Sequence, residues 1–190
     1  MQIDKLLPGY DFNEIHKLTI KASPEQVFNA MKELTASELS PLIFLLLDAR
    51  NLPAKLLGKH PPSVTAPGPF LEQLYRDGFI PLAEEPDKEI VFGLIGLFWK
   101  LTGGETPSIS SPQAFLDFDD PDFAKVASNL AVTVDDQNFT QCSTETRIQI
   151  SHPGARRKFA VYWRIISMGS GWIRVLWLKA IKKKAEQRKK

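Results

Sequence analysis

The sequence predicts an α+β fold: a curved antiparallel β-sheet wrapped around a long C-terminal α-helix, with two short helices after the first strand. Three observations predict it. From His152 to Lys190, Phe159, Trp163, Ile166, Ser170, Ile173, Trp177 and Ile181 recur at steps of three and four and so share one face of a helix. Lys125 to Val134 and Thr140 to Ile150 alternate with period two, as half-buried strands do. Near the N-terminus a strand pattern runs directly into a helix-start signature.

Phe12 to Ala22 is the first strand, with His16, Leu18, Ile20 and Ala22 on one face and Lys17, Thr19 and Lys21 on the other. Ser23 caps the next helix, Pro24 suits its first position, and Gln26 is placed to return a hydrogen bond; this helix runs to about Lys32. Thr35 and Glu38 repeat the signature and open a second helix through Leu39, Leu42, Ile43 and Leu46 to about Ala49, limited by Pro53. Lys59 to Pro69 reads as a Pro-rich loop, and Phe70 to Arg76 as a short helix ended by Gly78.

Phe79 to Glu85 and Lys88 to Trp99 form a hairpin across Pro86 and Asp87, with Gly93 and Gly96 as sites for a bulge or bend. Leu101 to Pro112 is a loop, Gln113 to Phe118 a short strand, and Asp119 to Asp122 a turn. In the last hairpin Val126, Ser128, Leu130, Val132 and Val134 share a face with Cys142, Thr144, Thr146, Ile148 and Ile150 once Val132 lies opposite Cys142. The other side, Lys125, Asn129, Thr133, Glu145, Arg147 and Gln149, is expected to face water. The final helix starts near Pro153 and carries Trp172 as well as the ridge. Gly169 and Gly171 predict a kink or a brief break, and Arg156, Arg157, Lys158, Arg164, Arg174, Lys179 and Lys182 to Lys184 are expected in water.

Composition narrows the function classes. The chain has 190 residues, 43% hydrophobic and 24% charged, as one globular domain over 1–190 would. A net charge of +2 does not point to nucleic acid, although the KKKAEQRKK tail is basic. The single cysteine, Cys142, excludes an internal disulfide, and the opening MQIDKLLPGYDF lacks the apolar core of a signal peptide, so a cytoplasmic protein is expected. The longest apolar run, Leu42 to Leu47, is six residues, far short of the roughly 20 a membrane span needs.

The order of elements resembles the helix-grip fold of the START-like, Bet v 1-like (SRPBCC) superfamily. The pieces KASPEQVFNAM, GFIPLAEEP, VFGLIGLFW, AFLDFDDPDFAKVASNLAV, STETRI and ARRKFAVYWRIISMGSGWIRVLWLKAIKKKAE resemble an uncharacterised branch across nearly the whole chain. One departure is Asp122 after Pro121, where such sequences often carry Gly. The resemblance implies a cavity between sheet and C-terminal helix, which members use for apolar molecules, for cyclase or dehydratase chemistry, or to bind protein partners; fold alone does not choose among these.

The residues expected to face that space are Phe92 or its neighbours, Phe115 or Leu116, Leu130, Val132, Ile148, Trp163, Ile166 and Trp177, joined by His16, Ser128, Thr144 and Thr146. A mostly apolar lining with sparse polar points fits a small-molecule site, and equally a filled core. His16 is the one histidine expected to face inward, as a pocket group or as a hydrogen-bonded core residue. No histidine pair has metal-ligand spacing, and Cys142 stands alone. Asp117, Asp119, Asp120 and Asp122 lack the glycine and closing glutamate of a calcium loop and read as a turn. Glu145 and Arg147 read as a surface ion pair. Ser143 lacks a nucleophile-elbow context, and Gly103 and Gly104 lack a phosphate-loop lysine.

The expected function is non-enzymatic binding of an apolar or amphipathic, lipid-like molecule, with no cofactor. Two alternatives are carried. One is a cyclase- or dehydratase-type enzyme using His16 with Thr144 or Thr146. The other is a protein-partner or membrane-surface module using Leu42 to Leu47 and the basic tail.

Overall fold

The first strand, β1 (Phe12–Ile20), pairs antiparallel with β5 (Thr140–Gln149), and the sheet continues through β4 (Ala124–Val134), β3 (Glu89–Gly96) and β2 (Ile80–Glu85) in the order β1-β5-β4-β3-β2. The computed structural model describes residues 1–56, 67–100, 106–109 and 111–187. Helix α2 (Pro24–Glu33) follows β1, and the Ser23 hydroxyl accepts from the Gln26 N–H while Gln26 Oε1 accepts from the Ser23 N–H, the reciprocal cap the sequence predicts. Val132 does lie opposite Cys142, so alternation alone fixed the register of the β4–β5 hairpin. Asp87 makes the β2–β3 turn with φ of 61°, a conformation aspartate tolerates better than most side chains.

Helix α6 (Pro153–Gln187) lies against the sheet's inner face in one unbroken run. Its N-terminal half packs Phe159 and Trp163 on Phe12, Ile148 and Ile150, and its C-terminal half packs Trp177, Leu178 and Ile181 on Ile20, α2 and the start of α3 (Pro41–Leu56). This is a helix-grip fold. The helix is not broken at Gly169 or Gly171, and Gly171 serves packing. A Cβ there would sit 2.5 Å from Glu14 Oε1 and 3.2 Å from His16 Nε2, so glycine lets α6 close on β1.

Four further expectations are corrected. The Thr35–Glu38 pair does not start the second helix; Glu38 Oε2 accepts from the Thr35 N–H and hydroxyl and closes a single 3-10 turn, Ala36–Glu38. Helix α3 begins at Pro41 and runs past Pro53, which stands in its last turn and removes only one helical donor. Residues 113–118 are not a strand but most of α5 (Pro112–Asp117), because Ser111 caps Ala114 at 3.1 Å and Pro112 takes the first helical position. The sheet's irregularity lies in β2 between Pro81 and Ala83, while β3 pairs β4 without a break. At Gly93 a Cβ would meet Leu82 and Phe115 at 2.8 Å, so this glycine admits the α5 phenyl ring rather than a bend. The Pro-rich loop at 59–66, with His60, and Gly103 and Gly104 lie outside the described residues.

Much of the outer face of the sheet is covered, contrary to what its polar residues predict, although Thr133 is exposed as expected. Helix α1 (Gln2–Leu6) and α5 cover it, burying Ile3, Leu7, Val91, Ile95, Phe115 and Ala127 together. Beneath α1, Glu89 accepts from the Gln2 N–H, from the Ile3 N–H at 3.3 Å and from Asn129 Nδ2 at 2.7 Å. A carboxylate beneath the free N–H groups of a helix start satisfies both partners. Arg147 donates to Glu145 Oε1 at 2.7 Å, to Asp4 Oδ1 at 2.6 Å and to the Leu7 carbonyl at 3.2 Å. Thus Asn129, Glu145 and Arg147, read as water-facing, are all buried under the N-terminal segment. The Glu145–Arg147 pairing is real, but it is not a surface pair.

Cys142 is fully buried on the inner face, and burial pushes its thiol up to about 12. A thiol reagent at pH 8 should therefore leave the native protein unmodified for as long as urea-unfolded protein needs to react completely. Equal rates in the two states would place Cys142 at the surface.

Candidate functional site: a cavity beneath the C-terminal helix

A cavity of about 390 Å³ lies between the inner sheet face and α6. Its sheet side is Phe92, Leu94, Val126, Ser128, Thr144, Thr146 and Ile148; its helix side is Phe159, Tyr162, Trp163, Ile166, Ser170, Ile173, Arg174 and Trp177. Ile43 and Leu47 of α3, Phe70 and Leu74 of α4 (Phe70–Arg76), and Asp77, Phe79 and Phe98 close the remainder. The geometry follows from the two periodicities. Alternate residues of β3, β4 and β5 point to one side, and the three-and-four spacing on α6 points back at them.

At one end the wall is aromatic. Phe70 meets Trp177 edge-on at 5.1 Å, and Phe92 lies 6.1 Å from Trp177 and 5.8 Å from Phe79. Trp177 is buried, yet its indole Nε1 has no hydrogen-bond partner among the described residues. An unpaired buried donor costs about 1–3 kcal/mol. Burial pushes the Asp77 carboxyl, which also lines the cavity, above its ordinary range.

The polar wall is a connected network. Ser128 Oγ and Thr146 Oγ1 are 2.7 Å apart, Arg174 donates to Thr146 Oγ1 at 2.8 Å, to Ser170 Oγ at 2.7 Å and to Glu14 Oε2 at 2.9 Å, and Glu14 Oε1 meets His16 Nε2 at 2.8 Å. Arg174, expected in water, instead lines the cavity. Its signal was present in the sequence as Ser170 one helical turn before it and Glu14 two residues before His16 on the inward face of β1.

Of the residues expected to face this space, Phe92, Ser128, Thr144, Thr146, Trp163, Ile166 and Trp177 are brought together in its lining, as is Ile148. Leu130 and Val132 point to the same side but are packed in the core with α2, beyond the end of the cavity. Phe115 does not face it: α5 places that ring on the opposite face of the sheet with Leu82, Val91 and Ala127, because the segment is a helix rather than an inward-facing strand. His16 is not part of the lining; it sits beneath Gly171, held by Glu14.

No family model matches the sequence, and no curated protein matches it. Solved structures that resemble the chain include protein MLL2253 from Mesorhizobium loti, 13% identical over 94% of this chain and 99% of the other, with a TM-score of 0.38. TTHA0849 from Thermus thermophilus is 9% identical over 94% of this chain and all of the other, with a TM-score of 0.37. Ara h 8.0201 is 11% identical over 93% of this chain and 98% of the other, with a TM-score of 0.29. The fold assignment stands on the chain's own strand order and helix placement.

A larger cleft, about 510 Å³, lies between Ser37–Pro41 and the C-terminal end of α6. Lys184 bridges it to both Glu38 carboxylate oxygens at 2.9 Å. Glu38, Lys179, Lys183 and Lys184 line it, which suits ion pairing better than capture of an apolar molecule. Among the described residues no group of three or more His, Cys, Asp or Glu is placed to hold a metal ion, and no helix is long and apolar enough to cross a membrane.

Proposed function

We propose that this protein, a divergent member of the START-like, Bet v 1-like superfamily, binds an amphipathic small molecule in the cavity beneath α6. The observation that carries the reading is a largely apolar space of about 390 Å³ in which Ser128, Thr146, Ser170 and Arg174 form one hydrogen-bonded stretch of wall. That volume lies within the roughly 300–1,000 Å³ of small-molecule sites. The hydrocarbon part would lie against Phe92, Leu94, Ile166 and Ile173. A polar head with acceptor oxygens would meet Ser128, Thr146 and Arg174. A cyclase-type reaction has no support in this geometry, since His16 stands outside the lining.

A dansyl-labelled medium-chain fatty acid titrated into the protein should give a saturable, blue-shifted signal that unlabelled fatty acid displaces. Ile166→Trp, which fills the space from the helix side, should abolish the signal without lowering the melting temperature. No saturable uptake, or uptake unchanged in Ile166→Trp, would refute the proposal.

A further inference from the structure

The outer face of α6 carries a second stripe that the described residues leave uncovered. Val161, Ile165, Met168, Trp172 and Val175 recur at steps of four and three, and they are 65%, 72%, 74%, 64% and 36% exposed. This face looks away from the cavity, whose wall is formed by Trp163, Ile166, Ser170 and Trp177 on the same helix. The outer face of a surface helix normally carries charged and polar residues. Here charge appears only at the ends and flank of the stripe, and it is all of one sign: Arg157, Lys158, Arg164, Lys179 and Lys183 are exposed on or beside the same face. From Pro153 to Gln187 the helix holds nine Lys and Arg against one acid, Glu186.

We infer that this face docks peripherally on an anionic lipid surface, with the apolar stripe seated among the headgroups and the cations on lipid phosphates and carboxylates. Charge decides among the possible occupants. A helix with apolar residues on one line and Lys and Arg beside them is the pattern that binds a bilayer interface, and an exposed indole such as Trp172 suits the headgroup level. A second copy would bring two basic helices face to face. The stripe is also small: about 21 Å long and roughly 10 Å wide, it offers on the order of 200 Å² per partner, against roughly 800 Å² in a standard protein interface. Because no described helix can cross a bilayer, the engagement is at the surface. Anionic lipid adds attraction at each cation, whereas a neutral bilayer offers only the apolar seat.

The test is co-sedimentation of the full chain with vesicles of phosphatidylcholine containing a third phosphatidylserine, beside vesicles of phosphatidylcholine alone. Binding should be at least about tenfold tighter to the anionic vesicles and should weaken in half-molar salt. The double variant I165S/M168S alters two exposed side chains, so it should fold normally and lose at least about tenfold in vesicle binding. It should leave uptake of the dansyl fatty acid unchanged, which separates this inference from the proposal for the cavity. Lack of binding to anionic vesicles, equal binding to both compositions, or full binding by the double variant would each overturn it. So would a dimer in sedimentation velocity that the double variant dissolves, since the stripe would then belong to a second copy.

Discussion

Arg147→Ala should destabilise the protein by about 3–5 kcal/mol, the range found when one partner of a buried ion pair is removed. Arg147 is only 8% exposed and holds three groups from separate parts of the chain: Glu145 on its own strand, and Asp4 and the Leu7 carbonyl in the N-terminal segment. Its guanidinium also lies over the Tyr10 ring at 4.9 Å. Truncation leaves the Glu145 carboxylate buried without its cation and frees α1 from the sheet, which then uncovers Ile3 and Leu7. Urea unfolding should show a lower midpoint with an unchanged slope, and amide exchange over residues 2–7 should accelerate first. The double variant Arg147→Met, Glu145→Leu should regain much of the loss, because it removes both charges rather than stranding one. A cost below about 1 kcal/mol for Arg147→Ala would mean that water reaches the pair.

The same network sets an acid dependence with a definite sign. The hydrogen bond from the Met1 amino group, then that from Arg147, holds the Asp4 carboxyl below its ordinary range. A carboxyl depressed on folding contributes stability above its unfolded pKa, and that contribution disappears as pH falls through the depressed value. Asp4 is half exposed, so solvent screening keeps its own share small, and Asp4→Asn should cost far less than Arg147→Ala.

How much of this was legible differs from element to element. The β4–β5 register and the inward stripe on α6 follow from strict periodicity over ten or more residues, so Val132 met Cys142 and eight expected residues met in one cavity. The cover on the outer face was missed because α1 has five residues, too few for any period to show. A signal existed elsewhere: β3 reads EIVFGLIG, apolar at consecutive positions, which a strand open to water on one face does not tolerate. Asn129, Glu145 and Arg147 looked solvated because each is polar, yet polar groups that satisfy one another, here with Glu89, can be buried together. Phe115 was misplaced for a local reason, since Ser111 and Pro112 outweigh the strand propensity of the residues that follow. His16 was assigned to the right side of β1, but no pattern within β1 announces that Gly171 lets a helix close over it.

Phe159→Ala should cost about 3–5 kcal/mol, as expected for deletion of a fully buried ring. Phe159 is 1% exposed and joins α6 to the sheet: its ring is 5.0 Å from Phe12, 5.7 Å from Tyr162, 5.8 Å from Trp163 and 5.9 Å from Trp99. Removing it forfeits its apolar burial and four ring contacts at once, and rigid neighbours on a strand and a helix cannot collapse far into the space. Phe159→Leu refills most of that volume and should lose less than half as much. A drop below about 1 kcal/mol for the alanine variant would mean that other contacts anchor the N-terminal half of α6. The site gives the experiment a second readout. Because Phe159 lines the cavity, the void its deletion leaves is continuous with it, so the weakened protein should take fatty-acid probes several carbons longer than the wild type prefers. Loss of stability together with a shift to longer chains would identify Phe159 as both the anchor of the helix and the end wall of the cavity.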